Sequence, residues 1–371
     1  MSEIYERLKD KIDHLGFGLN ADHEADLNFL KAFFTEEDAE YALAMSMDKF
    51  DTSEEMAERL GKDAAEVEEH LADMGERGLI FFKREGEKKK YRLYCVVLGI
   101  LEFAQMTAKP EQLMTIGALM DNKTYSTYMW GTKTPEFYYI PVNSELVADN
   151  KVLPRDDAMK VLDAKDPNRI AISLCACRSA AKGQGTPCKH VGFDETCMWF
   201  DDFADYFVER GAARYITKEY AAEMMMKAEK EGLLLETTGT TAEGICCICM
   251  CCSCCCKPLE LLRTNYATSE GIHMASNYYL EKDSAKCVNC GVCVDRCPMN
   301  AMSTTEDSVC MHDPARCIGC GICVSTCPGG ALTLRRKPDE QLNPVDSKDI
   351  YELHDRIQKE YRARVAAEAE Q

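Results

Sequence analysis

The sequence predicts an α+β protein of several domains, and three observations lead to this prediction. The chain has 371 residues, which is enough for two or three hydrophobic cores. Cysteine is concentrated in the second half, so the two halves differ in composition. Helix-like and strand-like apolar patterns occur in both halves. We expect five segments, with boundaries at residues 1–106, 107–168, 169–284, 285–335 and 336–371.

Three helix patterns and a hairpin pattern follow one another near the N-terminus. Residues 36–47 place apolar side chains at helical spacing, and residues 51–61 form a helix pattern that starts with hydroxyl residues and ends in glycine. Residues 64–78 form the third helix pattern, and residues 78–93 alternate as the strands of a hairpin do. This order resembles the bacterial winged helix-turn-helix domain.

The charge of this segment argues against a nucleic-acid partner. The third helix carries five carboxylates, and the whole chain has a net charge of −19. Phosphates would be repelled from such a surface. Basic residues are grouped only in the hairpin, at positions 83–92. We therefore expect this domain to dock on a protein or to dimerise, with operator recognition as the alternative.

The remaining ordinary patterns are mostly helical. Helices are expected at residues 96–106 and 154–164, twice within residues 200–235, and at residues 350–370, with an extended segment at residues 132–142. The last helix is amphipathic, so it packs either on the body of the protein or on a second copy of the chain. A homodimer is therefore one of the expected states. No apolar run is long enough to cross a bilayer.

Two cysteine runs near the C-terminus share one spacing. Residues 286–301 and residues 316–331 both contain C-x2-C-x2-C-x3-C-P. A zinc ribbon needs neither the third cysteine of each run nor the repeated Cys-Pro. The runs resemble the bacterial dicluster ferredoxin domain, in which the fourth cysteine of each run ligates the other cluster. The resemblance assigns one [4Fe–4S] cluster to Cys287, Cys290, Cys293 and Cys327, and the other to Cys317, Cys320, Cys323 and Cys297.

Twelve further cysteines occupy the middle segment, which we expect to fold as a mixed α/β domain. Since a chain without a secretory signal keeps its thiols reduced, metal binding is expected rather than disulfides. We predict one or two additional iron–sulfur clusters here. The candidate ligands are Cys175, Cys177, Cys188, Cys247, Cys249, Cys251, Cys252 and Cys254. The alternatives are a non-cubane cluster of the heterodisulfide-reductase type, a structural zinc ion, or free thiols.

The sequence also predicts the secondary structure around several of these cysteines. Residues 170–174 read as a strand that runs into a C-x-C loop with Cys175 and Cys177. Cys197 reads as a helix residue, and Cys310 as a spare thiol between the two C-terminal runs. Adjacent residues of an extended chain point in opposite directions, so the segment from Cys246 to Cys256 should present thiols to two sides.

The expected function is electron transfer in the cytoplasm of an anaerobe. Dinucleotide, P-loop and nucleophile-elbow motifs are not found in the sequence. Two adjacent clusters form a short electron path, and an acidic protein suits docking on a basic redox partner. We expect that partner to be a flavoprotein or another oxidoreductase subunit. The alternatives are a catalytic subunit with a special middle cluster that acts as a disulfide reductase, and an iron–sulfur redox sensor that controls transcription.

Overall fold

The computed structural model describes residues 3–13, 23–105, 107–120, 134–141, 156–190, 192–265, 274–342 and 347–369. The chain divides into two units. The first unit comprises Met1–Met129, Asp205–Arg214 and Tyr361–Gln371, and the second comprises Trp130–Ala204 and Tyr215–Glu360. None of the helices in these described ranges combines the length and the apolar character that a bilayer span requires.

The first unit is helical with one hairpin. Its elements are α1 (Glu3–Asp13), α2 (His23–Phe33), α3 (Glu36–Ala44), α4 (Ser53–Leu60), α5 (Ala64–Arg77), β1 (Phe81–Glu85), β2 (Lys88–Arg92), a π-helical segment (Val96–Ile100), α6 (Leu101–Gln105) and α7 (Pro110–Met120). Thr52 caps α4 through a capping box, and Gly61 ends this helix in the left-handed region at φ 65°. The three expected helices and the hairpin are thus present in the expected order.

A buried ion pair holds this unit together. The Asp51 carboxylate accepts hydrogen bonds from the Ser46 N–H at 2.6 Å, from the Ser46 hydroxyl at 2.9 Å and from Arg59 Nη1 at 3.0 Å. Its side chain is fully buried, whereas that of Arg59 is partly exposed. Burial alone would raise the pKa of Asp51, but the bonds from Arg59 and Ser46 outweigh it and hold the pKa below its ordinary value.

We expect Asp51→Asn to destabilise the first unit by about 2–3 kcal/mol at neutral pH, because Arg59 loses its charged partner. The Asp51 carboxyl has a lower pKa in the folded protein than in the unfolded chain, where it is about 3.9. Its contribution to the free energy of unfolding is therefore complete above pH of about 3.9, and it is lost as the pH falls through the pKa of the folded state. Urea unfolding followed by circular dichroism at pH 7 and pH 3 measures the difference. Glu54→Gln, at the exposed pair with Lys88, is the control and should change nothing measurable. An equal deficit at both pH values would contradict this account.

The second unit is built on a seven-stranded sheet of order β6-β4-β5-β8-β7-β3-β9. The strands are β3 (Phe137–Ile140), β4 (Ile170–Leu174), β5 (Glu195–Phe200), β6 (Ala213–Tyr215), β7 (Leu234–Thr238), β8 (Cys247–Cys251) and β9 (Met274–Ala275). The β3–β9 pair is parallel, and the pairs of β5 with β4 and of β8 with β5 and β7 are antiparallel. The helices from this part of the chain are α8 (Ala158–Asp163), α9 (Ala176–Gly183), α10 (Asp201–Glu209), α11 (Lys218–Lys230), α12 (Lys257–Asn265) and α14 (Ile350–Ala369). The last residues of α10 and of α14, and the first two residues of β6, belong to the first unit.

Strand β8 separates apolar residues from thiols. Ile248 and Met250 are buried in the hydrophobic core of the sheet. Side chains alternate between the two faces of a strand, so Cys247, Cys249 and Cys251 lie on the other face. The cysteine-rich sequence is therefore an ordinary amphipathic strand in which thiols replace the polar residues.

Two expectations about the middle segment are wrong. The residues after β4 do not form a loop, because Cys175 is the N-cap of α9 and Cys177 lies in its first turn. Cys197 does not lie in a helix but in the middle of β5, opposite Cys249 of β8. Strand β5 is buried almost throughout and so shows no two-residue alternation, which is the signal that distinguishes a strand from a helix.

The C-terminal part of the second unit contains two small antiparallel sheets. Strands β10 (Tyr278–Lys282) and β13 (Leu332–Arg336) form one, and β11 (Met302–Thr304) and β12 (Cys310–His312) form the other. A short helix, α13 (Val292–Arg296), follows Gly291. Gly291 and Gly321 occupy equivalent positions in the two cysteine runs, and both have a positive φ of 78° and 79°.

Candidate metal centres

Two small cavities lie in the C-terminal part of the second unit. The first cavity is lined by Cys287, Cys290, Cys293, Cys310 and Cys327. The second cavity is lined by Cys297, Cys317, Cys320 and Cys323. Each cavity thus receives three cysteines from one run and the fourth from the other run. Matched thiol sets suit two groups of the same kind.

The two cavities repeat one backbone contact. The Ala301 N–H donates to the Cys297 Sγ at 3.2 Å, and the Ala331 N–H donates to the Cys327 Sγ at 3.3 Å. Both donors lie four residues after the sulfur that they contact. Such N–H donors stabilise negative charge on a thiolate, which is the form that ligates metal. The donor set, the cavities and these contacts fit [4Fe–4S] clusters.

Cys310 lies in the wall of the first cavity. Its Sγ is 3.7 Å from the Sγ of Cys293, and its N–H donates to the Asn289 Oδ1 at 3.0 Å. The thiol is buried. Cys310 was expected to be a spare thiol between the runs, but it is a fifth sulfur next to the four of the expected ligand set.

Four of the middle cysteines form a compact group, which we call the four-thiol site. It consists of Cys188, Cys252, Cys254 and Cys255, whose Sγ atoms all lie within 4.8 Å of one another. The Cys188 Sγ is 3.7 Å from that of Cys252 and 3.6 Å from that of Cys254. The Cys254 Sγ is 3.6 Å from that of Cys252 and 3.5 Å from that of Cys255. Three members come from the turn after β8, and the fourth follows α9.

Six other middle cysteines lie near one another in a closed circle, which we call the thiol ring. Each member is close enough to shift the pKa of the next, in the order Cys175, Cys177, Cys256, Cys251, Cys249, Cys197 and back to Cys175. Cys247 attaches to the ring at Cys249. The members come from α9, β5, β8 and the turn that leads into α12. Long-range pairing of β5 with β8 therefore completes the ring.

Donors and acceptors alternate around the thiol ring. Bonds from Cys177 and Cys197 lower the pKa of Cys175, and bonds from Cys197, Cys247 and Cys251 lower that of Cys249. Bonds from Cys177 and Cys251 lower the pKa of Cys256 to about 5. The donating thiols have raised pKa values because their protons serve the neighbouring sulfurs. Holding several of these sulfurs as buried thiolates would require a compensating positive charge, and a metal core would supply it.

A carboxyl group adjoins the thiol ring. A Glu236 carboxylate oxygen and the Sγ atoms of Cys251 and Cys256 lie within 4.8 Å of one another. Glu236 is only 3% exposed, and its Oε2 has no hydrogen-bond partner among the described residues. The Tyr139 hydroxyl donates a hydrogen bond to the same carboxyl group. Burial, followed by the nearby Cys256 and Cys249, raises the pKa of Glu236 well above its ordinary value.

Arg178 places a positive charge beside both middle groups. Its Nη1 donates to the Phe193 carbonyl at 2.9 Å and its Nη2 to the Met250 carbonyl at 3.3 Å. Burial opposes its charge, yet Cys252, Cys175 and Cys188 raise the pKa of the guanidinium above its ordinary value. The arginine that follows the C-x-C pattern therefore faces thiols of the four-thiol site and of the thiol ring.

Arg263 connects the four-thiol site to the second cavity. Its Nη1 donates to the Ser253 carbonyl at 2.9 Å and to the Pro298 carbonyl at 3.3 Å. Ser253 lies within the turn of the four-thiol site, and Pro298 lines the second cavity directly after Cys297. One guanidinium therefore contacts the walls of both sites.

The structure distributes the predicted ligands of the middle segment between the two groups. Cys188, Cys252 and Cys254 belong to the four-thiol site, whereas Cys175, Cys177, Cys247, Cys249 and Cys251 belong to the thiol ring or attach to it. Cys197, Cys255 and Cys256 were not among the predicted ligands but belong to these groups. The single set of Cys175, Cys177 and Cys188 is not brought together. The consecutive cysteines around Cys255 could have indicated these ligands from the sequence, whereas nothing in the sequence around Cys197 indicated a ligand.

These sites define a protein with an iron–sulfur domain and a cysteine-rich middle region. Residues 286–331 match the family model described as a 4Fe-4S dicluster domain. The matched segment contains both cysteine runs and all nine cysteines that line the two cavities. No curated protein and no solved structure matches the chain.

Proposed function

We propose that the chain is an iron–sulfur electron-transfer protein with more than two metal centres. In this proposal Cys287, Cys290, Cys293 and Cys327 hold one [4Fe–4S] cluster, and Cys297, Cys317, Cys320 and Cys323 hold the other. The observation that carries it is the crossed lining of the two cavities in the segment that matches a dicluster domain. Bound clusters supply one-electron redox chemistry at these positions.

The residues around the cavities tune that chemistry. The N–H donors of Ala301 and Ala331 favour the more negative, reduced state at Cys297 and Cys327. Burial of Cys320 opposes negative charge and raises the pKa of its thiol to about 12. These two influences act in opposite directions, so the chain sets the potential of each centre through its own backbone and packing.

We propose that the thiol ring holds a further iron–sulfur centre on the same electron path. The ring groups six thiols, which is more than the four ligands that a cubane takes. This excess favours a second candidate function, a catalytic subunit whose special middle centre reduces a disulfide. The Arg263 contact supports passage of electrons between the middle region and the second cavity.

The proposed partner is a flavoprotein or oxidoreductase subunit with a basic docking surface. The net charge of −19 supports electrostatic attraction to such a surface. A transcriptional role is not proposed, because the hairpin cations are paired within the first unit. Arg84 and Lys89 contact Glu209 at 2.7 and 2.8 Å, and Lys90 contacts Glu85 at 2.6 Å. Little hairpin charge is left for phosphates.

The test uses the full chain purified without oxygen. We expect more than about eight irons per chain, because two cubanes account for eight and the thiol ring adds to them. We also expect the reduced protein to transfer electrons to a basic haem protein, at a rate that falls as salt is added. An acidic haem protein is the control and should react slowly at low salt. Colourless protein with zinc as its only metal, or coloured protein that no reductant bleaches, would rule the proposal out.

A further inference from the structure

We infer that the four-thiol site binds a single, tetrahedrally coordinated divalent ion, zinc or ferrous iron, and not a cubane cluster. Four thiolates at about 2.3 Å from one ion lie about 3.8 Å from one another when the geometry is tetrahedral. Four of the six Sγ–Sγ distances in the site are 3.5, 3.6, 3.6 and 3.7 Å, and the other two are no longer than 4.8 Å. The four-thiol site therefore has the dimensions of a one-ion centre.

A cubane does not suit these sulfurs. Four irons and four sulfides stand between the thiolates of a [4Fe–4S] cluster, so its ligands cannot all lie in mutual contact. In the four-thiol site every Sγ lies within 4.8 Å of every other. The two cavities of the C-terminal part, in contrast, enclose space between their cysteines. The same chain thus offers two different kinds of thiol set.

The surroundings indicate what the ion does. The Ser253 side chain, between two of the ligands, contacts the His190 Nε2 at 3.0 Å, and the Ser253 carbonyl accepts from Arg263. Arg263 also contacts Pro298 of the second cavity. An ion held by Cys252, Cys254 and Cys255 fixes this turn, and through Arg263 it fixes the turn against the wall of the second cavity. The ion therefore positions the middle region relative to the C-terminal cavities.

Access to the site is open. Cys254 is exposed, whereas Cys252 and Cys255 are buried. An ion can enter from the side of Cys254, and the nearby Arg178 guanidinium offsets part of the negative charge of four thiolates. Cys252 and Cys255 are buried, so a directly coordinated ion stabilises their thiolates more than it would stabilise exposed ones.

The experiment compares the metal content of the full oxygen-free protein with that of Cys254→Ser. We expect the variant to lose about one zinc or one iron per chain while acid-labile sulfide stays constant. Cys95→Ser, a buried cysteine outside the four-thiol site and the ring, is the control and should retain all metal. Zinc in the wild type but not in the variant identifies a zinc site; one iron lost without sulfide identifies a ferrous site.

X-ray absorption of the wild-type protein provides a second measurement that needs no variant. A zinc-edge spectrum with four sulfur neighbours and no nearby metal supports the inference, as does a Mössbauer component for an isolated tetrathiolate iron. Loss of about four irons with four sulfides from Cys254→Ser, or no loss of metal at all, overturns it. Neither of those outcomes affects the two C-terminal clusters, so this test is separate from that of the proposed function.

Discussion

Replacing Cys320 with alanine is expected to remove about four irons and four sulfides per chain. Cys320 is 8% exposed and lines the second cavity with Cys297, Cys317 and Cys323. A cubane that loses one of its four thiolates in a buried site has no replacement ligand and is not retained. Iron and sulfide assays of oxygen-free protein measure the loss, and Cys95→Ala should retain the wild-type content.

Double variants make this prediction specific to the crossed ligand sets. Cys320→Ala with Cys297→Ala should lose no more iron than either variant alone, because both residues serve one cluster. Cys320→Ala with Cys327→Ala should lose about eight irons, because these residues serve two clusters. If the first pair loses eight irons and the second loses four, each run holds its own cluster and the cavity assignment is wrong.

Replacing Cys249 with alanine is expected to empty the thiol ring. Cys249 lies opposite Cys197 in the sheet, and three thiols, Cys197, Cys247 and Cys251, lower its pKa. The metal of the ring should be lost in full, while the electron paramagnetic resonance signals of the two C-terminal clusters persist. The protein should also melt at a lower temperature, because metal binding to a site absent from the unfolded chain contributes to folding.

A neighbouring residue of the same strand provides the matched control. Ile248 lies on the opposite face of β8, in the hydrophobic core of the sheet. Ile248→Val should lower stability by about 1 kcal/mol without any loss of metal. If Cys249→Ala retains all of its iron, the thiol ring does not hold a metal centre, and the electron path ends at the C-terminal cavities.

The C-terminal sites could be predicted because their information is local. Each run places three thiols within seven residues, and the glycines and prolines that shape the loops stand beside them. The helices and hairpin near the N-terminus were equally accessible, since Thr52 and Gly61 mark the ends of α4 in the sequence itself. Local spacing is sufficient wherever neighbours in the chain are also neighbours in space.

The division of the middle cysteines could not be predicted, because it depends on strand register. Cys197 reaches the thiol ring only through its pairing with Cys249, fifty-two positions further along the chain. A shift of that register by one residue would turn every thiol of β8 to the other face. The sequence shows which residues of a strand alternate between its two faces. It does not show which strand pairs with which, because strands that are distant in the chain make those contacts.

The burial of the thiol ring has a consequence for biosynthesis. Strand β8 lies between β5 and β7, and Cys197, Cys251 and Cys256 are almost inaccessible once these strands are paired. If the ring holds the proposed iron–sulfur centre, its iron must enter before β5, β7 and β8 pair. A chain whose sheet closes first would enclose the thiols of the ring without their metal.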